Sequence, residues 1–140
     1  EKVDFMSVYC EHLRNLIKKG VNSENNYDRP LKGLKIVVDA GNGVGGFFAN
    51  DVLAPLGADT NGSRYLDPDG MFPNHIPNPE NETAMASICE ATVESGADLG
   101  VIFDTDVDRA ACVSADGKEI NRNRLVALAA AMPDLASFCF

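Results

Sequence analysis

Asp98-Leu-Gly-Val-Ile-Phe-Asp-Thr-Asp-Val-Asp-Arg109 joins a short apolar run to a run of charge. Leu99 to Phe103 has the length and β-branched content of a buried strand. Asp104, Asp106 and Asp108 then arrive at alternate positions, with Arg109 directly behind them. In a loop leaving a strand end, that spacing lets three carboxylates converge on one point. Two like charges about 4 Å apart repel by roughly 4 kcal/mol at an effective dielectric near 20. The cluster therefore calls for a cation, and hard carboxylate oxygens suit Mg²⁺ or Ca²⁺. A buried strand opening into such a loop is the arrangement of α/β sheets, whose ligands gather at the carboxyl ends of the strands. The plainer reading is a polar loop whose aspartates face water or cap a helix.

Two other readings of these residues are tested by counting. A Ca²⁺-binding EF-hand loop starting at Asp104 needs Gly at its sixth position and Glu at its twelfth. Those positions hold Arg109 and Ala115, which excludes it. An aspartyl-phosphate phosphatase of the haloacid dehalogenase type also places Asp-x-Asp after an apolar strand, with Asp104 as nucleophile and Asp106 as acid. That type usually carries Thr or Val where Asp108 stands, and it needs a later Lys and acidic pair for which little chain remains.

The 140 residues suffice for one domain, and 45% hydrophobic with 24% charged content is that of an ordinary globular protein. A net charge of −9 argues against nucleic acid or an anionic membrane as partner. It leaves room for a phosphorylated ligand, because a bound cation inverts the local field. Cys10, Cys89, Cys112 and Cys139 lie far apart with no C-x-x-C pair, which fits neither a zinc site nor a secreted disulfide framework. A reducing, cytoplasmic location is expected, although the sequence begins at Glu1 and leaves targeting unjudged. No apolar run approaches the roughly 18 residues of a membrane-spanning helix.

Phe5, Val8, Tyr9, Leu13, Leu16 and Ile17 share one helical face, and Gly20 is the expected stop of a helix over 5–19. Residues 21–30 form a polar connector ending in Pro30, which places a boundary there. Residues 34–39 predict a strand leading into Ala40-Gly-Asn-Gly-Val-Gly-Gly46 and a helix over 44–56. Gly41, Gly43 and Gly46 match G-x-G-x-x-G in the dinucleotide-binding context. They equally match a turn that serves only close packing. A second strand is expected over 59–66, then an ordered loop with Pro68, Pro73, Pro77 and Pro79. Asn78-Pro79-Glu80 predicts the cap and first turn of a helix reaching Ser95 that buries Met85, Ile88, Cys89 and Val93. His75 lies in the proline loop, where a histidine is either structural or a ligand contact. Residues 111–115 and 118–120 flank Asp116-Gly117 as a hairpin, and Asn121 caps a last helix ending at Pro133. The order of elements predicts a three-layer α/β/α domain with a mostly parallel sheet and a terminal hairpin.

Asp39-Ala-Gly-Asn-Gly43, Phe72-Pro-Asn-His-Ile-Pro-Asn-Pro79 and Asp104-Thr-Asp-Val-Asp-Arg109, in that order, resemble the second domain of the α-D-phosphohexomutases. These are the phosphoglucomutases, phosphomannomutases and phosphoglucosamine mutases, and the likeness covers roughly residues 5–125. The resemblance implies an enzyme of four domains in which a phosphoserine of the first domain exchanges phosphoryl groups with a hexose phosphate. It implies Asp104, Asp106 and Asp108 as Mg²⁺ ligands and Arg109 as a contact to substrate or phosphate, with His75 a further candidate. The loop pattern in this family is commonly Asp-Gly-Asp-Gly-Asp-Arg. Thr105 and Val107 keep every ligand but stiffen the loop, and Val107 is expected to keep φ negative.

None of Ser7, Ser23, Ser63, Ser87, Ser95, Ser114 and Ser137 is followed by the His-Asn-Pro of the phosphoserine loop, so no catalytic nucleophile is expected in this chain. The sugar-selecting Gly-Glu-x-Ser-Gly loop and a basic phosphate-binding loop are likewise not in the sequence. The expected organisation is residues 1–30 joining to a preceding domain, 31–125 as the α/β/α domain, and 126–140 as the end of a helix and a truncated tail. The expected partners are the hexose phosphate and the other domains of the same enzyme, with the chain alone inactive. A nucleotide-binding or interaction module built on the Gly41–Gly46 turn and the aspartyl-phosphatase reading stand as alternatives.

Overall fold

The computed structural model describes residues 3–131. Helix α1 (Phe5–Val21) leads to strand β1 (Ile36–Asp39), a 3₁₀ turn (Val44–Gly46) and a π-wound segment (Phe48–Leu53). Helix α2 (Glu82–Ser95), strands β2 (Leu99–Phe103) and β3 (Ala110–Ser114), and helix α3 (Arg122–Ala131) follow. The three strands form one sheet in the order β1-β2-β3, with β1 parallel to β2 and β2 antiparallel to β3.

Alternation along the strands divides the core into two layers. Ile36, Val38, Val101 and Phe103 face α1 and the π-wound segment, where Cys10, Val52, Leu53 and Leu56 meet them. Val37, Ile102, Ala111 and Val113 face α2 through Ala84, Ile88 and Ala91. The helix–sheet–helix layering is the predicted α/β/α class. Gly100 sits in β2 because a Cβ there would overlap the Thr92 hydroxyl of α2, which lets that helix lie close against the sheet.

Several local expectations are corrected. The predicted strand over 59–66 is reduced to single bridges, Lys35 with Asp59 and Asp39 with Arg64. Between them the Ser63 N–H bonds back to the Thr60 carbonyl and Gly62 takes φ +105, so the run turns instead of extending. The helix expected over 44–56 starts as a 3₁₀ turn and continues with π winding, in which the Ala54 N–H reaches the Ala49 carbonyl at 3.0 Å. α1 passes through Gly20 and stops at Asn22, whose left-handed backbone (φ 45) returns its N–H to the Lys18 carbonyl.

α2 is capped by Asn81, whose Oδ1 accepts from the Thr83 and Ala84 amides. Asn78 instead closes a local turn by accepting from the Glu80 amide. Val93, expected inside, is 56% exposed because the buried row of α2 runs through Ile88, Ala91 and Thr92. The Asp116-Gly117 turn forms, with Ser114 N–H bonded to the Lys118 carbonyl. Its second arm is only a bridge from Glu119 to Val113, and the main partner of β3 is β2. Asn121 caps α3 by accepting from the Asn123 and Arg124 amides, and no residue of that helix is buried. The expected stop at Pro133 and the apolar tail lie outside the described residues.

Candidate metal centre

The antiparallel pairing of β2 with β3 makes residues 104–109 the loop between two neighbouring strands. Asp104 lies at the end of β2 and is 1% exposed. Arg109 anchors it twice, from its amide to Oδ1 at 3.0 Å and from Nε to Oδ2 at 2.9 Å. The Asp104 amide in turn bonds to the Arg109 carbonyl at 3.1 Å. This closed ring of bonds turns the chain sharply, and Asp106 and Asp108 are left exposed on its outer side. One carboxylate oxygen from each of Asp104, Asp106 and Asp108 lies within 4.8 Å of the other two.

The electrostatics match that crowding. Burial pushes the Asp104 carboxyl up, but the Arg109 amide, the Asp108 carboxyl and the Arg109 guanidinium outweigh it and hold it below its usual range. Asp108 is pushed up by Asp104, as hydrogen-bond partner and as like charge, and by the charge of Asp106. Carboxylates that raise one another's cost of ionisation are relieved by a divalent cation. The donor set is all hard oxygen, which fits Mg²⁺. Arg109 is half exposed and also reaches Asn78 of the proline loop at 3.4 Å, so it links the two loops.

Val107 departs from expectation. It occupies the left-handed region at φ +68, where a β-branched residue is strained. Its side chain is half buried against the α1-side core, which holds it there.

His75 is not directed toward this loop. It is buried, with Nε2 3.0 Å from Asp39 Oδ1 and Nδ1 3.0 Å from the Ile76 carbonyl. Both ring nitrogens lie within hydrogen-bond distance of an oxygen. Asp39 also accepts from the Ser87 hydroxyl at 2.6 Å and the Gly41 amide at 2.9 Å. The structure places His75 in a buried clasp joining β1, the proline loop and α2. Asp39 carries no expected role of its own in the sequence beyond opening the Asp39-Ala-Gly-Asn-Gly43 motif at the end of an apolar strand.

Asn42, of the same motif, takes φ 60 and ties the glycine turn to the proline loop. Its Nδ2 donates to the Asp67 carbonyl and its Oδ1 accepts from Asn74 Nδ2. The amides of Gly41, Asn42, Gly43 and Val44 are bonded to Asp39, Tyr65, Ala40 and Thr105. These four amides are spent within the chain and no regular helix follows them, so neither feature supports the dinucleotide reading.

The family model for phosphoglucomutase/phosphomannomutase, alpha/beta/alpha domain II, matches residues 7–117. The chain belongs to this family. A phosphoglucomutase of Neisseria meningitidis serogroup A is 39% identical over 125 residues, covering 89% of this chain and 25% of that protein. A phosphomannomutase/phosphoglucomutase of Pseudomonas putida is 37% identical over 128 residues, covering 91% of this chain and 25% of that protein. The crystal structure of a phosphoglucomutase/phosphomannomutase family protein from Burkholderia thailandensis superposes with a TM-score of 0.71 at 32% identity, over 92% of this chain and 26% of that one. The chain therefore spans about a quarter of the length of these phosphohexomutases. Membership sets the aspartyl-phosphatase reading aside.

Proposed function

We propose that this chain provides the Mg²⁺-holding loop of a phosphohexomutase, an enzyme that moves a phosphoryl group between the 1- and 6-positions of a hexose phosphate. The observation that carries the reading is the convergence of the Asp104, Asp106 and Asp108 oxygens at the end of β2. When bound, Mg²⁺ supplies charge neutralisation at a transferring phosphoryl group. Asp104 is the rigid member of the set, since Arg109 fixes both of its oxygens, while the exposed Asp106 and Asp108 are free to adjust. Arg109 carries exposed guanidinium surface beside the triad and is suited to hold a substrate phosphate. The His75–Asp39 clasp fixes the loop whose Asn78 meets Arg109.

The other regions of the enzyme and the hexose phosphate are the partners in this reading. The described helices include none long and apolar enough to cross a membrane. Cys10, Cys89 and Cys112 are free thiols, in keeping with the cytoplasmic location we propose.

No serine here stands in a His-Asn-Pro loop. Holding a nucleophile in line with phosphorus can be worth roughly 7–11 kcal/mol, so charge stabilisation alone is not expected to turn over substrate. The test is a coupled mutase assay of the purified chain with glucose 1-phosphate and mannose 1-phosphate, in Mg²⁺ and a hexose bisphosphate. No turnover is expected. Robust turnover that disappears in Asp104→Asn would require a nucleophile within these residues and overturn the proposal.

A further inference from the structure

The glycine turn presents two bare backbone faces to two different loops. Gly41, at φ +53, faces the proline loop, and a Cβ there would meet His75 Cε1 and Pro77 Cβ, each at 2.9 Å. Gly43 faces the aspartate loop. Its backbone (φ −79, ψ −165) is extended and open to any residue, so conformation does not demand glycine at this position. Space does. A Cβ on Gly43 would lie 2.7 Å from the Thr105 carbonyl oxygen and 2.9 Å from Thr105 Cα. Both are backbone atoms and cannot rotate aside. The next residue, Val44, donates its amide to the same Thr105 oxygen at 2.9 Å.

Thr105 stands between Asp104 and Asp106, so a peptide seated on the glycine turn joins two of the three converging carboxylates. We propose that Gly43, with the Val44 amide, is a positioning element for the aspartate loop, a role that rests on the metal-holding reading above. Side chains that hold a metal must be placed to within about 0.5 Å by their supports. Any side chain at position 43 has to push the Thr105 peptide away by several tenths of an ångström to reach ordinary contact, at the cost of the Val44 bond. The glycine-rich motif in this chain is thus a seat for the metal loop.

Two variants disturb that seat by independent routes. Gly43→Ala adds the obstructing methyl. Val44→Pro removes the donated N–H at the first position of a helical turn, where proline is tolerated. Gly57→Ala is the control, at a position of φ +100 whose neighbours are Lys32 and Arg29 and neither of the two loops. Amide shifts of the metal-free 140-residue chain are recorded, together with Mn²⁺ affinity by electron paramagnetic resonance and the thermal midpoint.

In Gly43→Ala and Val44→Pro the amides of 103–109 should shift and Mn²⁺ affinity should fall about tenfold to a hundredfold, the range for lost outer support of a metal site. Gly57→Ala should lower the thermal midpoint and leave Mn²⁺ affinity within about twofold, because its contacts are to Lys32 and Arg29. If one of the first two variants does not fold, the other decides. Unchanged 103–109 shifts, or wild-type Mn²⁺ affinity in the folded variant, would overturn the positioning role. If the unsubstituted chain binds no Mn²⁺, the metal reading fails and the metal-free shifts alone decide the positioning of the loop.

Discussion

Replacing Val107 by glycine and by alanine should reverse the usual order of those two residues. Val107 sits at φ +68 within the loop that carries the three carboxylates. Both substitutions remove the two γ-methyls of the half-buried side chain, and only the Cβ separates them, so most of the packing loss cancels. A left-handed backbone costs an L-residue roughly 1–2 kcal/mol, a strain that alanine retains and glycine does not. The entropy of the unfolded chain works the other way and favours alanine by about 0.4–1 kcal/mol. The centres of the two ranges leave the glycine variant ahead of the alanine variant by roughly 0.8 kcal/mol. With a urea dependence of about 1–3 kcal/mol per molar, the glycine variant should unfold about 0.3–0.8 M later. The measurement is a pair of urea titrations followed by circular dichroism, in chelator so that no metal contributes. An alanine variant as stable as the glycine one, or more so, would mean that Val107 is not held at positive φ.

His75→Ala should cost about 1–3 kcal/mol, since it leaves the buried Asp39 carboxylate with only the Ser87 hydroxyl and the Gly41 amide; thermal melts near wild type would show that the clasp is not built as described. Gly46→Ala should fold poorly or not at all, because a Cβ there overlaps the Leu66 carbonyl oxygen; a normal yield of folded protein would refute that contact. The Asp116 carboxyl is lowered from 3.8 to about 2, first by its bond from Lys118 and then by the Ser114 hydroxyl. A depressed carboxylate stabilises the fold above its unfolded value and stops doing so as pH falls through the folded one. The turn at 116–117 should therefore loosen between about pH 4 and pH 2, and Lys118→Ala should move the Asp116 titration upward when followed by carbonyl NMR.

The parts of the fold that could be read from the sequence are those where one local signal meets no opposition. β1 and β2 are short apolar runs that lead into aspartates, and α2 stops at Gly96, which takes φ 63 as a left-handed cap. The failures are places where two signals compete. Gly20 suggested the end of α1, yet Asn22 supplies the left-handed residue. Residues 59–66 have strand-like composition, but the bond from Ser63 to Thr60 folds the middle of the run into a turn. The aspartate triad was legible because all three ligand candidates belong to one loop. The Asp39–His75–Ser87 clasp was not, since His75 and Ser87 lie 36 and 48 positions from Asp39 and meet it only when the proline loop folds back on β1. Val107 ran against its own preference because Asp104 and Arg109 close the loop from both sides and leave no extended path between them.

The central claim is that Asp104, Asp106 and Asp108 form one Mg²⁺ site, and its most direct measurement is an amide-shift titration of the chain with Mg²⁺. Changes should saturate, concentrate at residues 103–110 and disappear in Asp106→Asn while the rest of the spectrum stays unchanged. Weak affinity is expected, since Mg²⁺ prefers about six near-octahedral oxygens and three carboxylates supply only part of that sphere. Shifts that grow without saturating and spread evenly over the acidic surface would contradict the account.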